Sequence, residues 1–188
     1  MVKERLLLDT NAYLRLAEKL HPLLNQPFGP GDARLFVIRE FEKEFRNSPR
    51  LCSTFTWVED QPYVLNRSRP VPIPRDKRQD IKRTKKFITD HVRSEGLTVS
   101  PVDAMALAIG RVLGMKVITD DRDMRVVADT FKIPTMITLA LLKRMLREKH
   151  IDIAMVREIA VHWQANDDCP GNFRTDFRRY FSEAAPRP

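Results

Sequence analysis

Short apolar runs alternate along the chain with amphipathic segments and with loops that contain proline or glycine. The runs are too short for buried helices and show no polar alternation, so they indicate strands of a parallel sheet that is covered on both faces. Apolar positions recur at helical spacing after several of these runs, which predicts an α/β chain with right-handed crossovers. The predicted strands are 6–8, 35–38, 97–100, 115–119 and a short strand around 133–136.

The first apolar run ends in Asp9, and Thr10 and Asn11 follow directly. In open α/β sheets the carboxyl ends of the strands form the edge at which ligands bind, so Asp9 is a candidate site residue. Thr10 or Asn11 can cap the next helix, because either side chain can accept a hydrogen bond from a backbone N–H group at the helix start. The simpler interpretation is that Asp9 is itself only a helix cap.

Three carboxylates in four residues, Asp120, Asp121 and Asp123, follow the predicted strand 115–119. One helix cap needs only one side chain, so capping alone does not explain all three. Packed together, such charges repel each other unless a cation or an arginine neutralises them. This segment is the strongest local indication of a metal site in the chain.

Asp103 and a pair of glutamates extend the acidic pattern. Asp103 stands in the first turn of a helix that Ser100 opens, where the helix dipole alone would favour a carboxylate. Glu40 and Glu44 are one turn apart on a predicted helix and lie close to its apolar face. One of them could point over the sheet edge toward Asp9. A solvated helix face with salt bridges is the alternative interpretation of the two glutamates.

The predicted order of elements places the end of the first strand and the end of strand 115–119 at one edge of the sheet. Asp9, Asp103 and Asp121 would then converge there, together with a glutamate from the 39–46 helix. Four carboxylates without a histidine or a cysteine make a hard oxygen site. Such a site suits Mg²⁺ or Mn²⁺ rather than zinc.

The charge of the chain favours a polyanionic partner, because 33 Lys and Arg residues stand against 25 Asp and Glu residues for a formal charge of +8. Nine of the twenty residues from 67 to 86 are basic, and such a stretch could neutralise phosphates while nearby aromatic side chains stack on unpaired bases. An ordinary solvated helix face explains the same charges. The candidate nucleic-acid-binding residues are Arg75, Lys77, Arg78, Lys82, Arg83, Lys85 and Lys86.

The length of 188 residues suits one α/β domain with a small extension. No apolar run approaches the roughly 18 residues of a membrane span, and no signal sequence opens the chain. The two cysteines are far apart, which excludes a disulfide framework and a zinc knuckle. We therefore expect a soluble, cytoplasmic protein without a membrane partner.

Two regions depart from the alternating pattern. Residues 47–75 are rich in proline, and Phe55, Trp57 and the 63–65 run predict a short hairpin packed by aromatic side chains. After residue 137 the chain predicts three amphipathic helices, which form a cap on the core or, alternatively, an interface for a second copy or a partner protein. These helices cover residues 138–146, 153–164 and 173–182.

The order of the motifs resembles that of the PIN-domain nucleases, in particular the VapC-type toxins and their prokaryotic relatives. The motifs are Leu-Leu-Asp9-Thr-Asn11, the mid-chain helix glutamate, Asp103-Ala-Met-Ala-Leu-Ala and Val-Ile-Thr119-Asp120-Asp121-Arg-Asp123-Met, within roughly residues 5–136. Carried over by position, the catalytic and metal-binding acids are Asp9, Glu44, Asp103 and Asp121. Asp123 matches a frequent additional acid, Asn11 and Thr119 match polar residues that brace the site, and Glu40 competes with Glu44 for the second acid.

The resemblance implies a Rossmann-like, three-layer α/β/α PIN domain over residues 1–137, with an irregular basic insertion at about 47–86 and a C-terminal helical extension, 138–188, packed on it. It also implies an endoribonuclease that depends on Mg²⁺ or Mn²⁺ and cleaves RNA, less often DNA. A toxin of this kind would have an antitoxin protein or a second copy of itself as partner. The alternative is a catalytically silent nucleic-acid-binding module on the same fold.

Overall fold

A computed structural model describes residues 4–187 and contains a four-stranded parallel sheet with the strand order β2-β1-β3-β4. The central strand β1 is buried on both sides, with Leu6 and Leu7 fully inaccessible to solvent. The parallel α/β fold predicted from the alternating runs is therefore confirmed. The strands are β1 (Arg5–Leu8), β2 (Arg34–Phe36), β3 (Lys116–Ile118) and β4 (Thr135–Met136).

Helices cover both faces of the sheet and form three layers, because successive side chains of β1 enter different cores. Leu6 and Leu8 belong to one apolar cluster, whereas Leu7 belongs to the other. The helices are α1 (Thr10–Ala17), α2 (Glu40–Arg46), α3 (Pro49–Thr54), α4 (Gln61–Arg67), α5 (Arg78–Ser94), α6 (Pro101–Leu113), α7 (Arg122–Thr130), α8 (Thr138–Arg147), α9 (Ile153–Ala165) and α10 (Phe173–Phe181). The first cluster is completed by α1, α2, α3, α8, α9 and α10, and the second by α5, α6 and α7.

The hairpin predicted between Phe55 and Leu65 is wrong, and the 47–86 region is largely helical rather than irregular. Helices α3 and α4 flank a 3-10 helix, Thr56–Glu59, and prolines stand in the first turns of α3 and α4, where a missing N–H group costs nothing. The aromatic side chains pack against one another across helical turns, with the ring centroids of Trp57 and Tyr63 4.6 Å apart. Aromatic side chains can pack in this way on short helices as well as on strands. The aromatic composition therefore did not distinguish a helical segment from the predicted hairpin.

The strand predicted at 97–100 is also absent from the sheet. The backbone N–H groups of this segment bond elsewhere: Leu97 donates to the Val92 carbonyl at 3.0 Å and Thr98 donates to Asp123 Oδ2 at 2.8 Å. The segment is therefore an extended connection between α5 and α6. The hydrogen bonds of Leu97 and Thr98, rather than pairing with a neighbouring strand, hold this segment in place before α6 begins.

The three C-terminal helices share one apolar core with β1 and α1. Trp163 of α9 is buried, and its indole Nε1 donates a hydrogen bond of 2.7 Å to the carbonyl of Arg15 in α1. Phe173 and Phe177 of α10 extend the same cluster. Within residues 4–187, no helix is both long and apolar enough to cross a lipid bilayer.

Candidate active site

Asp9 stands at the carboxyl end of β1, in the middle of the sheet. Its backbone N–H donates to the Ile118 carbonyl at 3.0 Å, which extends the β1–β3 ladder by one residue. The side chain is 3% exposed, and its Oδ1 accepts a 2.6 Å hydrogen bond from the N–H of Ala12. Asp9 is thus the cap of α1, and Thr10 and Asn11 are not. The capping bond uses one carboxylate oxygen and leaves lone pairs on the group for other contacts.

Thr119 connects Asp9 to Asp121. The Thr119 side chain is fully buried at the end of β3 and hydrogen-bonds to the Asp9 carboxylate. The hydroxyl also lies 3.3 Å from the Met124 sulfur, which is a weaker acceptor than a carboxylate. The same oxygen accepts a 3.1 Å hydrogen bond from the N–H of Asp121. Neighbouring strands thereby present both aspartates at one edge of the sheet, as predicted from the chain order.

Asp121 caps α7, since its Oδ1 accepts a 2.7 Å hydrogen bond from the N–H of Met124. Asp121 is solvent-exposed, whereas Asp9 is buried. The site therefore has a closed inner end at Asp9 and an open outer end at Asp121. A ligand arriving from solvent would meet Asp121 first.

Asp103 is held by a reciprocal capping box at the start of α6. The N–H of Asp103 donates to Ser100 Oγ at 3.0 Å, and the N–H of Ser100 donates back to Asp103 Oδ2 at 3.3 Å. The Ser100-Pro101 pair indicated this helix start. Ala104 and Ala106 are both buried behind the box, which lets α6 pack close to the sheet.

Glu44, rather than Glu40, is the glutamate beside the other acids. The hydroxyl of Thr10 donates a hydrogen bond to Glu44 Oε2, and the hydroxyl of Ser100 donates to Oε1 at 3.3 Å. Glu40 is one turn earlier on α2 and lines a different groove, which lies between α2, α5 and α6. Sequence reasoning missed Thr10 and Ser100 as partners of Glu44. The sequence held one indication of each: Thr10 directly follows Asp9, and Ser100 caps the helix that carries Asp103.

The acids influence one another electrostatically. Burial raises the pKa of Asp9 to about 7, and the charges of Asp103 and Asp120 add to the rise, although Thr119 and the Ala12 N–H oppose it. Burial also raises the pKa of Asp103, with further contributions from Glu44 and Asp121. Carboxylates from four separate elements therefore share one region of negative potential. A region of this kind attracts a cation.

The raised pKa of Asp9 predicts a pH-dependent loss of stability in the metal-free protein. The folded state holds the Asp9 proton up to about pH 7, whereas the unfolded chain releases it near the ordinary aspartate pKa of 3.8. Folding is therefore disfavoured as the pH rises between these two values. Relative to Asp9→Asn, wild type should lose on the order of 4 kcal/mol, at about 1.36 kcal/mol per pKa unit. Urea unfolding of both proteins in chelator from pH 4 to pH 8 measures this difference. Parallel stability curves would contradict it.

Asp120 and Asp123 bond to partners other than these acids, although Asp120 adjoins Asp121 and Asp123 follows it closely. Asp120 accepts hydrogen bonds from the N–H and the hydroxyl of Thr138, at 3.0 and 2.7 Å, and forms an ion pair with Arg15 at 3.1 Å. Asp123 accepts the hydrogen bond from Thr98 already described. Asp120 thus joins β3 to α1 and α8, whereas Asp123 joins α7 to the connection before α6. Asp123 remains a predicted additional metal ligand.

Arg15 extends this network to the C-terminal region. It pairs with Asp168 at 3.0 Å and donates from Nε to the Asp168 carbonyl at 3.0 Å. Asp168 is therefore a structural anchor between α1 and the loop after α9.

The predicted nucleic-acid-binding residues divide into those that form ion pairs within their own segment and those that do not. Most lie on α5, and Arg75 and Lys77 belong to the 3-10 turn before it, Arg75–Lys77. Ion pairs within the segment engage Lys77 with Asp76, Arg83 with Asp80, and Lys86 with Asp90. Among residues 4–187, neither Arg78 nor Lys82 has a carboxylate at salt-bridge distance. Lys85 is half-buried, and Arg75 is exposed.

A narrow cleft lies beside Asp9, Thr10 and Asp103, between α2 and α6, and it is too tight to hold a water molecule. Its oxygen donors have the chemistry that Mg²⁺ or Mn²⁺ prefers. In the described part of the chain, no three His, Cys, Asp or Glu side chains are grouped so that together they could hold a metal ion. Mg²⁺ usually keeps several waters and binds through only one or two carboxylates together with substrate phosphates, so the donor set still fits such an ion.

Comparisons with known proteins assign this chain to no family. No protein-family model matches the chain, and no curated protein matches it. The chain is similar to the crystal structure of FitAcB from Neisseria gonorrhoeae, with 15% sequence identity, a TM-score of 0.45, and coverage of 70% of this chain and 96% of that chain. Similarity at this level carries no conclusion about substrate or partner, so the proposals below depend on the residues of the site.

Proposed function

We propose that this protein is a metal-dependent endoribonuclease of the PIN type. The observation that supports the proposal is the gathering of Asp9, Glu44, Asp103 and Asp121, from four separate elements, at the carboxyl edge of a parallel sheet. Two of these acids have pKa values raised by burial and by neighbouring carboxylates. Carboxylates that serve only as helix caps or surface charges would be more stable far from one another, because neighbouring negative charges repel.

These four acids would supply the one or two carboxylates through which Mg²⁺ or Mn²⁺ binds, with waters and the substrate phosphate as the other ligands. When bound, such an ion acts as a Lewis acid that activates water and offsets negative charge on the phosphate. Thr119 orients Asp9, whereas Thr10 and Ser100 orient Glu44. Without a cation, this negative region would repel the phosphate of a nucleic acid. The chain's excess of basic residues around α5 would supply the attraction for the polyanion.

Metal removal tests the proposal most directly. The protein incubated with labelled RNA and Mn²⁺ or Mg²⁺ should produce discrete fragments, and excess chelator should abolish their formation. Restoring either ion to the chelated protein should restore cleavage. Activity that persists in chelator would refute a carboxylate-bound metal mechanism and would indicate a contaminating or different nuclease.

A catalytically silent nucleic-acid-binding module is the second candidate. The observation in its favour is that both carboxylate oxygens of Glu44 already accept hydrogen bonds from hydroxyls, which competes with metal binding. This candidate predicts salt-dependent RNA binding with no metal-dependent cleavage in the same assay.

The motif resemblance extends the proposal to the cell. A VapC-type toxin would act in the cytoplasm on RNA and would be held inactive by an antitoxin protein, or would assemble with a second copy. The apolar faces of the C-terminal helices are buried in the core that they share with β1 and α1, so the surface that we propose for such a partner is their exposed polar face. Light scattering on the purified chain tests the homodimer.

A further inference from the structure

A buried arginine, Arg67, lies outside the group of acids and belongs to none of the sequence motifs. It is the last residue of α4 and is 3% exposed, and among residues 4–187 no other lysine or arginine is buried. Moving a cation out of water is costly unless its charge and its N–H groups find partners. The partners of Arg67 therefore show which parts of the fold this side chain holds together.

Arg67 bonds to one residue on each of two helices. Its Nε donates to Glu42 Oε1 of α2 at 2.9 Å, and its Nη1 donates to the Tyr13 hydroxyl of α1 at 3.1 Å. The guanidinium also lies over two rings, 5.6 Å from the centroid of Tyr13 and 5.2 Å from the centroid of Phe41 on α2. Cation–π contacts are stronger where water is excluded. One side chain of α4 thus joins α1 to α2, and we call this set of contacts the Arg67 clamp.

The contact between α1 and α2 has an aromatic half and a polar half. In the aromatic half, the rings of Tyr13 and Phe41 pack edge to face with their centroids 4.9 Å apart. In the polar half, the hydroxyl of Thr10 donates to Glu44. Thr10 and Tyr13 are three residues apart on α1, and the two α2 partners have the same spacing, so each pair lies on one helix face. The Arg67 clamp fixes the aromatic half, and the rigid turn of each helix carries this constraint to Glu44.

Helix α2 depends on such a constraint, because few other contacts fix its position. It has seven residues, its N-cap side chain makes no capping hydrogen bond, and only Phe41 and Phe45 are buried. A helix of two turns is not stable by itself, so tertiary packing decides how it lies. The direction of the Glu44 carboxylate therefore depends on the contacts that hold α2 to its neighbours.

The geometry requires an arginine at this position rather than a lysine. A guanidinium donates to the Glu42 carboxylate and to the Tyr13 hydroxyl at once, while its flat face covers the rings. A lysine ammonium is a compact point charge and does not reproduce this planar fork. An Arg67→Lys variant therefore keeps the charge and loses the clamp.

We propose that Arg67 is a positioning residue for the acidic site and holds Glu44 in place by joining α2 to α1. This inference rests on the proposed function, because it concerns how the proposed metal-binding acids are arranged. It also gives α4, within the insertion at about 47–86, a role at a site to which α4 contributes no acid.

Binding of Mn²⁺ to the full chain, without RNA, tests the clamp separately from cleavage. Electron paramagnetic resonance measures the free Mn²⁺ during a titration. Arg67→Lys should weaken Mn²⁺ binding about tenfold, the loss typical of residues that orient metal ligands. In a Glu44→Gln background the same change should weaken binding by less than about twofold, because the effect of Arg67 passes through Glu44.

Two control variants should bind Mn²⁺ as wild type does. Arg46→Lys changes a second arginine that pairs with Glu42, on the exposed side of α2. Val156→Ala removes buried apolar atoms from α9, which carries none of the acids, so it lowers stability without touching the clamp. Wild-type binding in Arg67→Lys, an equal loss in a control, or a full tenfold effect in the Glu44→Gln background would overturn the proposal.

A second measurement needs no metal and uses milder variants, so it applies even if Arg67→Lys does not fold. Tyr13→Phe removes one hydroxyl from the Arg67 clamp, and Thr10→Val removes the hydroxyl from the polar half of the α1–α2 contact. In urea unfolding with chelator, the double variant should lose less stability than the sum of the two single losses, because both changes release the same contact. Additive losses would show that the two halves are independent and would overturn the proposal.

The outcomes separate the clamp from the nuclease. Non-additive unfolding in a protein without metal-dependent cleavage would retain the clamp and remove the nuclease. Metal-dependent cleavage, together with an Arg67→Lys protein that binds Mn²⁺ like wild type, would retain the nuclease and remove the clamp.

Discussion

The Asp9→Asn protein should fold normally and lose RNA cleavage by at least about three orders of magnitude, because several kcal/mol of charge stabilisation at the phosphate correspond to such a factor. Asparagine keeps an oxygen that can accept the capping bond from the Ala12 N–H, so α1 should still begin at residue 10. The loss would therefore report on the charge at Asp9 and not on the helix. Initial cleavage rates with Mn²⁺, together with circular dichroism, measure both properties.

Asp121→Asn should behave in the same way for the same reason, since its Oδ1 also caps a helix. The matched control is Asp129→Asn, an exposed aspartate near the other end of α7. The control should cleave RNA at the wild-type rate. Full activity in either the Asp9 or the Asp121 variant would show that the acidic edge is not the catalytic site.

Arg15→Met should destabilise the protein by about 3 kcal/mol, because it removes the cation that neutralises the buried Asp120 carboxylate. The Arg15 and Asp120 side chains are only 15% and 7% exposed, so solvent cannot replace the lost partner. The same change releases Asp168 and so loosens the contact between α1 and the loop after α9. Equilibrium unfolding in urea measures the loss.

A second substitution at Asp120 and a substitution at the exposed Arg157 show whether the unpaired charge causes the loss of stability. If the unpaired charge is the cause, adding Asp120→Asn to Arg15→Met should recover part of the stability. Arg157→Met breaks an ion pair with Glu183 that is largely exposed, so its unfolding curve should superimpose on that of wild type. A comparable loss in both single variants would show that burial of the Arg15 pair is unimportant.

The predictions that the structure confirms best are those that depend on residues close together in the sequence. The run before Asp9 predicted a buried strand because three successive leucines admit no exposed face, and β1 is the central strand. Ser100-Pro101 predicted the start of α6 because a cap and a first-turn proline are chemical requirements of that position alone. Chain order then placed Asp9 and Asp121 at one edge of the sheet, and the β1–β3 pairing bears this out.

Only the tertiary structure decided among neighbouring acids. Asp120, Asp121 and Asp123 are almost adjacent in sequence, yet Asp120 turns to Arg15 and Thr138 while Asp123 turns to the Thr98 backbone. Glu44 and Glu40 share one helix face, and only Glu44 meets the hydroxyls of Thr10 and Ser100. Each of these choices depends on a partner far along the chain, which residue spacing does not encode.

The same limit explains the two wrong elements. A short run such as 97–100 becomes a strand only if a neighbouring strand accepts its N–H groups, and here Asp123 and the Val92 carbonyl take two of them. The aromatic segment near Trp57 could pack as hairpin or helix, and contact with Tyr13 and Tyr63 favoured helix. By itself, the sequence determined the periodicity, the caps and the charge of this protein. The tertiary structure decided which carboxylates meet, because strand register and long-range partners set the direction of each side chain.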